Sequence, residues 1–150
     1  MTRKWALQHN DWVLGVRLLQ AQAHDNNGVL HFCHTSFALF KGGTVESYLK
    51  TVKMFLDANP NEVLTMIFTN PDELSLSDQW EPAFNNAGIK DLAYVLPSLP
   101  VKQSNWLTLG EMIDSGKRVV IFPDAGADRS DGGVVDLILP EFASGKLKNS

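Results

Sequence analysis

The stretch Val63-Leu-Thr-Met-Ile-Phe-Thr69 decides the fold class, because it is a continuous run of apolar and β-branched residues. Such a run is typical of a strand that is buried on both faces, as the strands of a parallel sheet are. The stretch Arg118-Val-Val-Ile-Phe122 repeats the pattern later in the chain. Two such strands, with helical patterns between them, predict an α/β protein with a parallel sheet.

Three helices and a weaker strand are predicted around these two runs. The first helix follows Thr44, a good N-cap residue, and ends near Ala58 because a proline stands two positions later. A second helix ends at Gly88, and a third covers residues 109–115. Residues 92–96 form a weaker strand candidate.

The segment Val16-Arg-Leu-Leu-Gln-Ala-Gln-Ala-His24 is predicted to be an extended strand. An Asn-Gly turn signal separates it from the run that ends at Cys33, so the two runs are either paired strands or one strand and its continuation. Alternation along the strand places Gln20, Gln22 and His24 on one face. Arg17 falls on the other face, where we expect a structural role.

Two architectures accommodate alternating strands and helices, namely an open doubly wound sheet and a (β/α) barrel. No Gly-rich or Gly-Lys-Ser/Thr phosphate loop opens a helix in this sequence, which favours the barrel. A complete barrel takes about 250 residues, whereas this chain has 150. We therefore expect one domain over residues 1–150 that is a TIM-type (β/α) barrel in part, with about four or five of the eight βα units.

Composition and charge exclude several classes of protein. The chain has 13 basic and 17 acidic side chains and a formal net charge of -4, which argues against nucleic-acid binding. No apolar run is long enough to span a membrane, and no apolar segment follows the basic start, as it would in a secretory signal. The single cysteine, Cys33, cannot form an internal disulfide or a cysteine-based zinc site.

Polar side chains follow four successive predicted strands, at the ends where active sites of barrels lie. These strand-end residues are Gln20, Gln22, His24, His34, Asn70, Asp72 and Asp124. Histidine there suits acid–base chemistry at neutral pH. The two glutamines are poor calcium ligands without neighbouring carboxylates, and we expect no metal shared by His31 and His34, which fall on different faces.

Four segments together resemble a known family: Gly15-Val-Arg-Leu-Leu-Gln-Ala-Gln-Ala-His24, Leu30-His-Phe-Cys-His-Thr-Ser36, Leu56-Asp-Ala-Asn-Pro-Asn-Glu-Val63 and Gly116-Lys-Arg-Val-Val-Ile-Phe122. They are similar, in order and over nearly the whole chain, to the phosphatidylinositol-specific phospholipase C X-domain-like phosphodiesterases, particularly the fungal branch. That resemblance implies a TIM-type barrel and cleavage of phosphodiesters by a histidine general base and a histidine general acid.

The resemblance assigns roles residue by residue. His34 matches the general acid that protonates the leaving alkoxide. Gln20 and Gln22 stand where relatives carry an acidic residue and either a calcium-binding Asp or a phosphate-contacting Arg, so we expect no calcium and a weaker, hydrogen-bonding contact with the phosphoryl group. We also assign His24 and Asn70 to substrate binding, with Asn70 either touching substrate or supporting residues that do. The expected partner is a phosphodiester or phospholipid headgroup.

Departures from the family pattern leave other functions open. The strand that carries the family's first histidine and the last barrel strands are expected to be missing, and His9-Asn10 is a poor substitute for that histidine. Phe37 replaces the cysteine that relatives pair with the equivalent of Cys33. The alternative is a catalytically inactive scaffold or pseudoenzyme that acts as a binding module. A Mg²⁺-dependent phosphodiesterase on the same barrel is disfavoured, because its carboxylates are lacking near Gln20 and Gln22.

Localisation follows two opposing indications. Relatives in the family are often secreted, which suits a cysteine pair. The chain itself carries no signal, so an intracellular protein is expected if its start is genuine.

Overall fold

A mixed sheet with helices between its strands forms the framework of the computed structural model, which describes residues 15–33, 43–95 and 102–123. The elements are β1 (Leu18–Asn26), β2 (Val29–Phe32), α1 (Val45–Ala58), β3 (Leu64–Thr69), a π-helical turn (Leu76–Trp80) that continues into α2 (Glu81–Ala87), two 3₁₀ turns (Lys90–Leu92 and Gln103–Asn105), α3 (Leu109–Asp114) and β4 (Val119–Pro123). The predicted helices and the two apolar strands are thereby confirmed.

The four strands lie in the order β2-β1-β3-β4. Strand β3 pairs in parallel with β1 on one side and with β4 on the other, whereas β2 runs antiparallel to β1. In this register Gln22 lies beside Thr69, so β1 and β3 end at the same edge of the sheet. The α/β prediction is confirmed as a mixed four-stranded sheet over the described residues, and the partial barrel stays a prediction.

A tight hairpin joins β1 to β2 and resolves the alternative left open by the sequence. Asn27 and Gly28 form its turn with φ values of 55° and 82°, and positive φ at both positions suits the strand twist of a two-residue hairpin. The Asp25 side chain accepts a hydrogen bond from the Gly28 N–H at 2.9 Å. The register places His24 directly opposite His31.

The main core lies between one face of the sheet and helices α1 and α2. Thr44 caps α1 by accepting the Ser47 N–H at 3.0 Å, as predicted. The helix buries one stripe of residues against alternate residues of the strands. This core contains Leu19, Ala23, Leu30, Phe32, Val45, Leu49, Val52, Leu56, Leu64, Met66, Phe68, Trp80, Phe84, Val119 and Ile121.

A second, smaller apolar cluster covers the opposite face of β4. It contains Tyr94, Met112 and Val120, with Trp106 and Phe122 packed against them. Because Val120 alternates with the core residues on either side of it, it points away from α1 and α2. Among the described residues, the face of the sheet opposite α1 and α2 is therefore covered at β4, whereas Leu18 on β1 is 57% exposed.

The structure reduces the weaker strand candidate at residues 92–96 to one isolated bridge. Lys90–Leu92 is a 3₁₀ turn, which Ala93 closes by donating its N–H to the Lys90 carbonyl. Ala93 then makes one isolated parallel bridge to Val119, and Leu96 lies outside the described residues. Of the candidate, only Leu92 belongs to the turn, and the extended backbone after it pairs with β4 through Ala93 and through the Tyr94 N–H, which donates to the Val119 carbonyl at 2.8 Å.

Arg17 has structural contacts, as the sequence predicted. Its Nε donates to Glu62 Oε2 at 2.5 Å, and its guanidinium lies 5.3 Å from the centre of the Phe55 ring. The hydrogen bond from Arg17 holds the pKa of the Glu62 carboxyl below its usual value. The pair ties the start of β1 to the segment that leads into β3.

Substituting Glu62→Gln is expected to lower stability slightly at neutral pH, since a surface ion pair contributes roughly 0–1 kcal/mol after solvent screening. A carboxyl whose pKa is lowered by folding stabilises the protein above its unfolded pKa, and that contribution disappears as the pH falls through the lowered value. Thermal melts of both proteins from pH 7 down to pH 3 would measure this. The difference in Tm should shrink on acidification, and Glu73→Gln, at an exposed carboxylate, should not reproduce it. A difference that grows towards low pH would contradict this account.

Candidate functional site

Three polar side chains from β1 and the loop after β3 meet at the carboxyl edge of the sheet. His24 Nδ1 lies 2.9 Å from Asp72 Oδ2, and His24 Nε2 lies 3.0 Å from Gln22 Nε2. We call Gln22, His24 and Asp72 the edge cluster. It forms because parallel strands bring their carboxyl ends to one edge, even though 48 positions separate His24 from Asp72.

Asp72 also binds the backbone of β1. Its Oδ2 accepts the Asp25 N–H at 3.3 Å, in addition to its contact with the His24 ring. The side chains of His24 and Asp72 are 19% and 40% exposed. The cluster is therefore held in place from two elements and is still within reach of a ligand.

Asn70 lies beneath this loop rather than on its surface, with 1% of its area exposed. Its Nδ2 donates to the Leu74 carbonyl at 2.9 Å, and its Oδ1 accepts the Leu74 N–H at 3.1 Å. Glu73, which precedes Leu74 in this loop, adopts a positive φ of 50°. These bonds shape the loop that carries Asp72, and the contact of Asn70 with substrate stays a prediction.

The other predicted site residues take different positions. Gln20 is exposed on the same face as Gln22 and lies two residues nearer the start of β1. Its register partner on β3 is Ile67. His34 and Asp124 lie outside the described residues. The structure thus brings Gln22 and His24, which were assigned to substrate binding, together with Asp72, a strand-end residue to which the sequence gave no role.

Cys33 directly follows β2 and lies beside the edge cluster. It is buried, and its backbone N–H donates to the Gln22 carbonyl at 3.1 Å. Burial raises the pKa of its thiol, and the nearby negative charge of Asp72 raises it further. A thiol in these surroundings favours its neutral form, so Cys33 is a poor nucleophile.

Asp72 was expected at a strand end but without a role, and the pairing of His31 with His24 was not predicted. The Asn-Gly turn was a usable signal for the pairing of His31 with His24, because a two-residue hairpin fixes which residues pair across it. The partner of Asp72 has no comparable local signal. Its identification required the register of β1 against β3.

The donors at the edge do not fit a calcium ion. Calcium takes six to eight oxygen ligands, usually with several carboxylates. The edge cluster supplies one carboxylate, which already binds the His24 ring and the Asp25 N–H. Within residues 15–33, 43–95 and 102–123, no three His, Cys, Asp or Glu side chains form a group that could hold a metal.

The fold and the site together define the class of this chain. It is an α/β protein with a polar cluster at the ends of its parallel strands. Its sequence matches the family PI-PLC X over residues 6–144. The chain therefore belongs to the PI-PLC X family, in agreement with the resemblance found in the sequence.

Three curated relatives are similar to the chain. The PI-PLC X domain-containing protein 1 of Arthroderma benhamiae is 44% identical over 81% of this chain and 42% of its own length. An uncharacterized secreted protein of the same fungus is 38% identical, covering 85% of this chain and 28% of that protein. The PI-PLC X domain-containing protein At5g67130 of Arabidopsis thaliana is 27% identical over 80% of this chain and 29% of its own length.

The fold has a counterpart among solved structures. A structure concerned with modulation of the membrane binding of S. aureus phosphatidylinositol-specific phospholipase C superposes with a TM-score of 0.51 at 18% identity. The match covers 74% of this chain and 36% of that chain. The chain thus spans less than half the length of the curated relatives and of the solved structure that it matches.

No helix within residues 15–33, 43–95 and 102–123 is both long enough and apolar enough to cross a bilayer.

Proposed function

We propose that this protein is a phosphoric diester hydrolase of the phospholipase C type, which cleaves the phosphodiester of a phosphoinositide or a related lipid headgroup. The observation that carries the proposal is the edge cluster, which lies at the strand ends of a chain that belongs to the PI-PLC X family. We further propose that β1, β3 and β4 are successive strands of a TIM-type barrel, because they pair in parallel in chain order.

The proposed reaction is an attack by a hydroxyl group on phosphorus. A hydroxyl of the substrate or a water molecule forms the new P–O bond, and the bond from phosphorus to the lipid alkoxide breaks. His34 gives its proton to that alkoxide, which leaves as an alcohol, and a general base takes the proton of the attacking hydroxyl. Hydrogen bonds from the amides of Gln20 and Gln22 to a phosphoryl oxygen support the charge that develops there.

The location of the glutamines supports this assignment. Gln20 and Gln22 lie on the same face of β1 as His24, with Gln20 exposed and Gln22 partly buried. Amide groups carry no charge, so each contributes a hydrogen bond to an anionic phosphoryl group rather than an ion pair. The side chains of His24 and Asp72 are 19% and 40% exposed, so a phosphodiester can reach the edge cluster from the carboxyl edge of the sheet.

Vesicles that contain phosphatidylinositol provide the test. The protein is expected to release a water-soluble inositol phosphate and leave diacylglycerol in the vesicle, with and without a calcium chelator. Vesicles of phosphatidylcholine alone serve as the control for headgroup preference. Binding to phosphatidylinositol vesicles without any product would contradict the proposal and favour the catalytically inactive binding module instead.

A further inference from the structure

Asp72 and Gln22 contact opposite sides of the His24 ring, and both contacts require the same ring tautomer. The ionised carboxylate of Asp72 only accepts hydrogen bonds, so His24 Nδ1, at 2.9 Å, must carry the hydrogen. The Gln22 amide nitrogen only donates, so His24 Nε2, at 3.0 Å, must accept. A neutral imidazole with its hydrogen on Nδ1 satisfies both requirements.

The tautomer of His24 in turn fixes the orientation of the Gln22 amide. With Nε2 as acceptor, the amide turns its nitrogen towards the ring and keeps its Oε1 and one N–H for other partners. With the hydrogen on Nε2 instead, the amide would have to turn Oε1 towards the ring. The contacts of the ring with Asp72 and Gln22 are therefore compatible with one orientation of the Gln22 amide.

We propose that Asp72 is a positioning residue that fixes the ring of His24, and through it the amide of Gln22, for contact with the phosphodiester. This inference rests on the proposed function, because that function supplies the phosphodiester. The loop geometry supports it. The buried Asn70 amide holds both backbone groups of Leu74, and the Asp25 N–H holds the Asp72 carboxylate.

The first experiment reads the tautomer directly. Long-range ¹H–¹⁵N correlation spectra of the four histidine rings are recorded for the protein at a pH where His24 is neutral, and His24→Gln assigns the His24 signals. The wild-type ring is expected to carry its hydrogen on Nδ1, and Asp72→Ala is expected to shift the ring to the Nε2-hydrogen form. Asp57→Ala, which removes an exposed carboxylate from α1, should leave the wild-type form unchanged.

The second experiment measures whether the rate of hydrolysis depends on this orientation of the Gln22 amide. Asp72→Ala is expected to lower kcat/KM on phosphatidylinositol vesicles by about tenfold to a hundredfold, the cost of a misplaced contact group. If Asp72 acts through Gln22, the double variant Asp72→Ala/Gln22→Ala should be no slower than Gln22→Ala alone. Additive losses in the double variant would overturn the inference.

The two experiments separate the inference from the proposed function. An Nε2-hydrogen form of His24 in active wild-type protein would overturn the positioning role of Asp72 and leave the function standing. An Nδ1-hydrogen form in a wild-type protein that hydrolyses no phosphodiester would overturn both the function and the use of Gln22 in it. Because the wild-type spectrum decides the tautomer, the inference is testable even if Asp72→Ala does not fold.

Discussion

Substituting His34→Ala is expected to lower kcat/KM for phosphodiester hydrolysis by about 10²–10⁴-fold, the usual contribution of a positioned general acid. The leaving alkoxide is a strong base, so without a proton donor it departs slowly. The measurement is the initial rate of inositol phosphate release from phosphatidylinositol vesicles by both proteins. A substrate whose leaving group is a nitrophenolate should lose much less rate, because that group departs without protonation.

His9→Ala is the matched control for this substitution, since it removes the same side chain at a position that we judge a poor substitute for the family's first histidine. It should retain the wild-type rate. Equal and measurable rates for wild type and His34→Ala would rule out the acid role of His34. If His9→Ala lost as much rate as His34→Ala, the loss in His34→Ala would no longer support the acid role of His34.

Substituting Phe68→Ala is expected to destabilise the protein by about 3–5 kcal/mol, the usual cost of removing a large aromatic side chain from a core. Phe68 is 1% exposed, and it is the second-to-last residue of β3. Its ring lies 5.4 Å from that of Phe32, 5.5 Å from that of Trp80 and 6.1 Å from that of Phe84, measured between ring centres. Its removal leaves a cavity between the sheet and α2 that these rings cannot fill without moving.

Urea unfolding followed by circular dichroism would measure this loss as a lower midpoint with an unchanged slope. Met54→Ala is the control, because Met54 lies on α1 with 67% of its area exposed. It should change stability by about 0.5 kcal/mol or less. A similar midpoint for both variants would show that the aromatic cluster does not carry the stability assigned to it.

Local sequence signals were sufficient to predict most of the elements. Thr44 marks the start of α1 because its hydroxyl binds a free N–H of the first turn. Gly88 marks the end of α2 because it adopts a φ of 70° that other residues rarely take. The apolar pattern of β3 and β4 predicted buried strands, whereas the weak pattern at residues 92–96 corresponds to the end of a 3₁₀ turn and one isolated bridge.

The candidate site was predictable only in part. Alternation along β1 placed Gln22 and His24 on one face, because residues two positions apart in a strand point to the same side of the sheet. Asn70 follows β3 directly, yet its burial and its two bonds to Leu74 depend on the shape of the loop. Residue type alone does not distinguish an amide that binds a ligand from one that holds a loop.

The sequence by itself determined the α/β class, the positions of the helices and the membership of the PI-PLC X family, because periodicity, caps and motif order are properties of neighbouring residues. The tertiary structure decided that Asp72 meets His24 and that Gln22 contacts the same ring. Such a meeting depends on which strands pair and in which register, and backbone hydrogen bonds set that register across 48 positions of sequence. No local pattern contains that information.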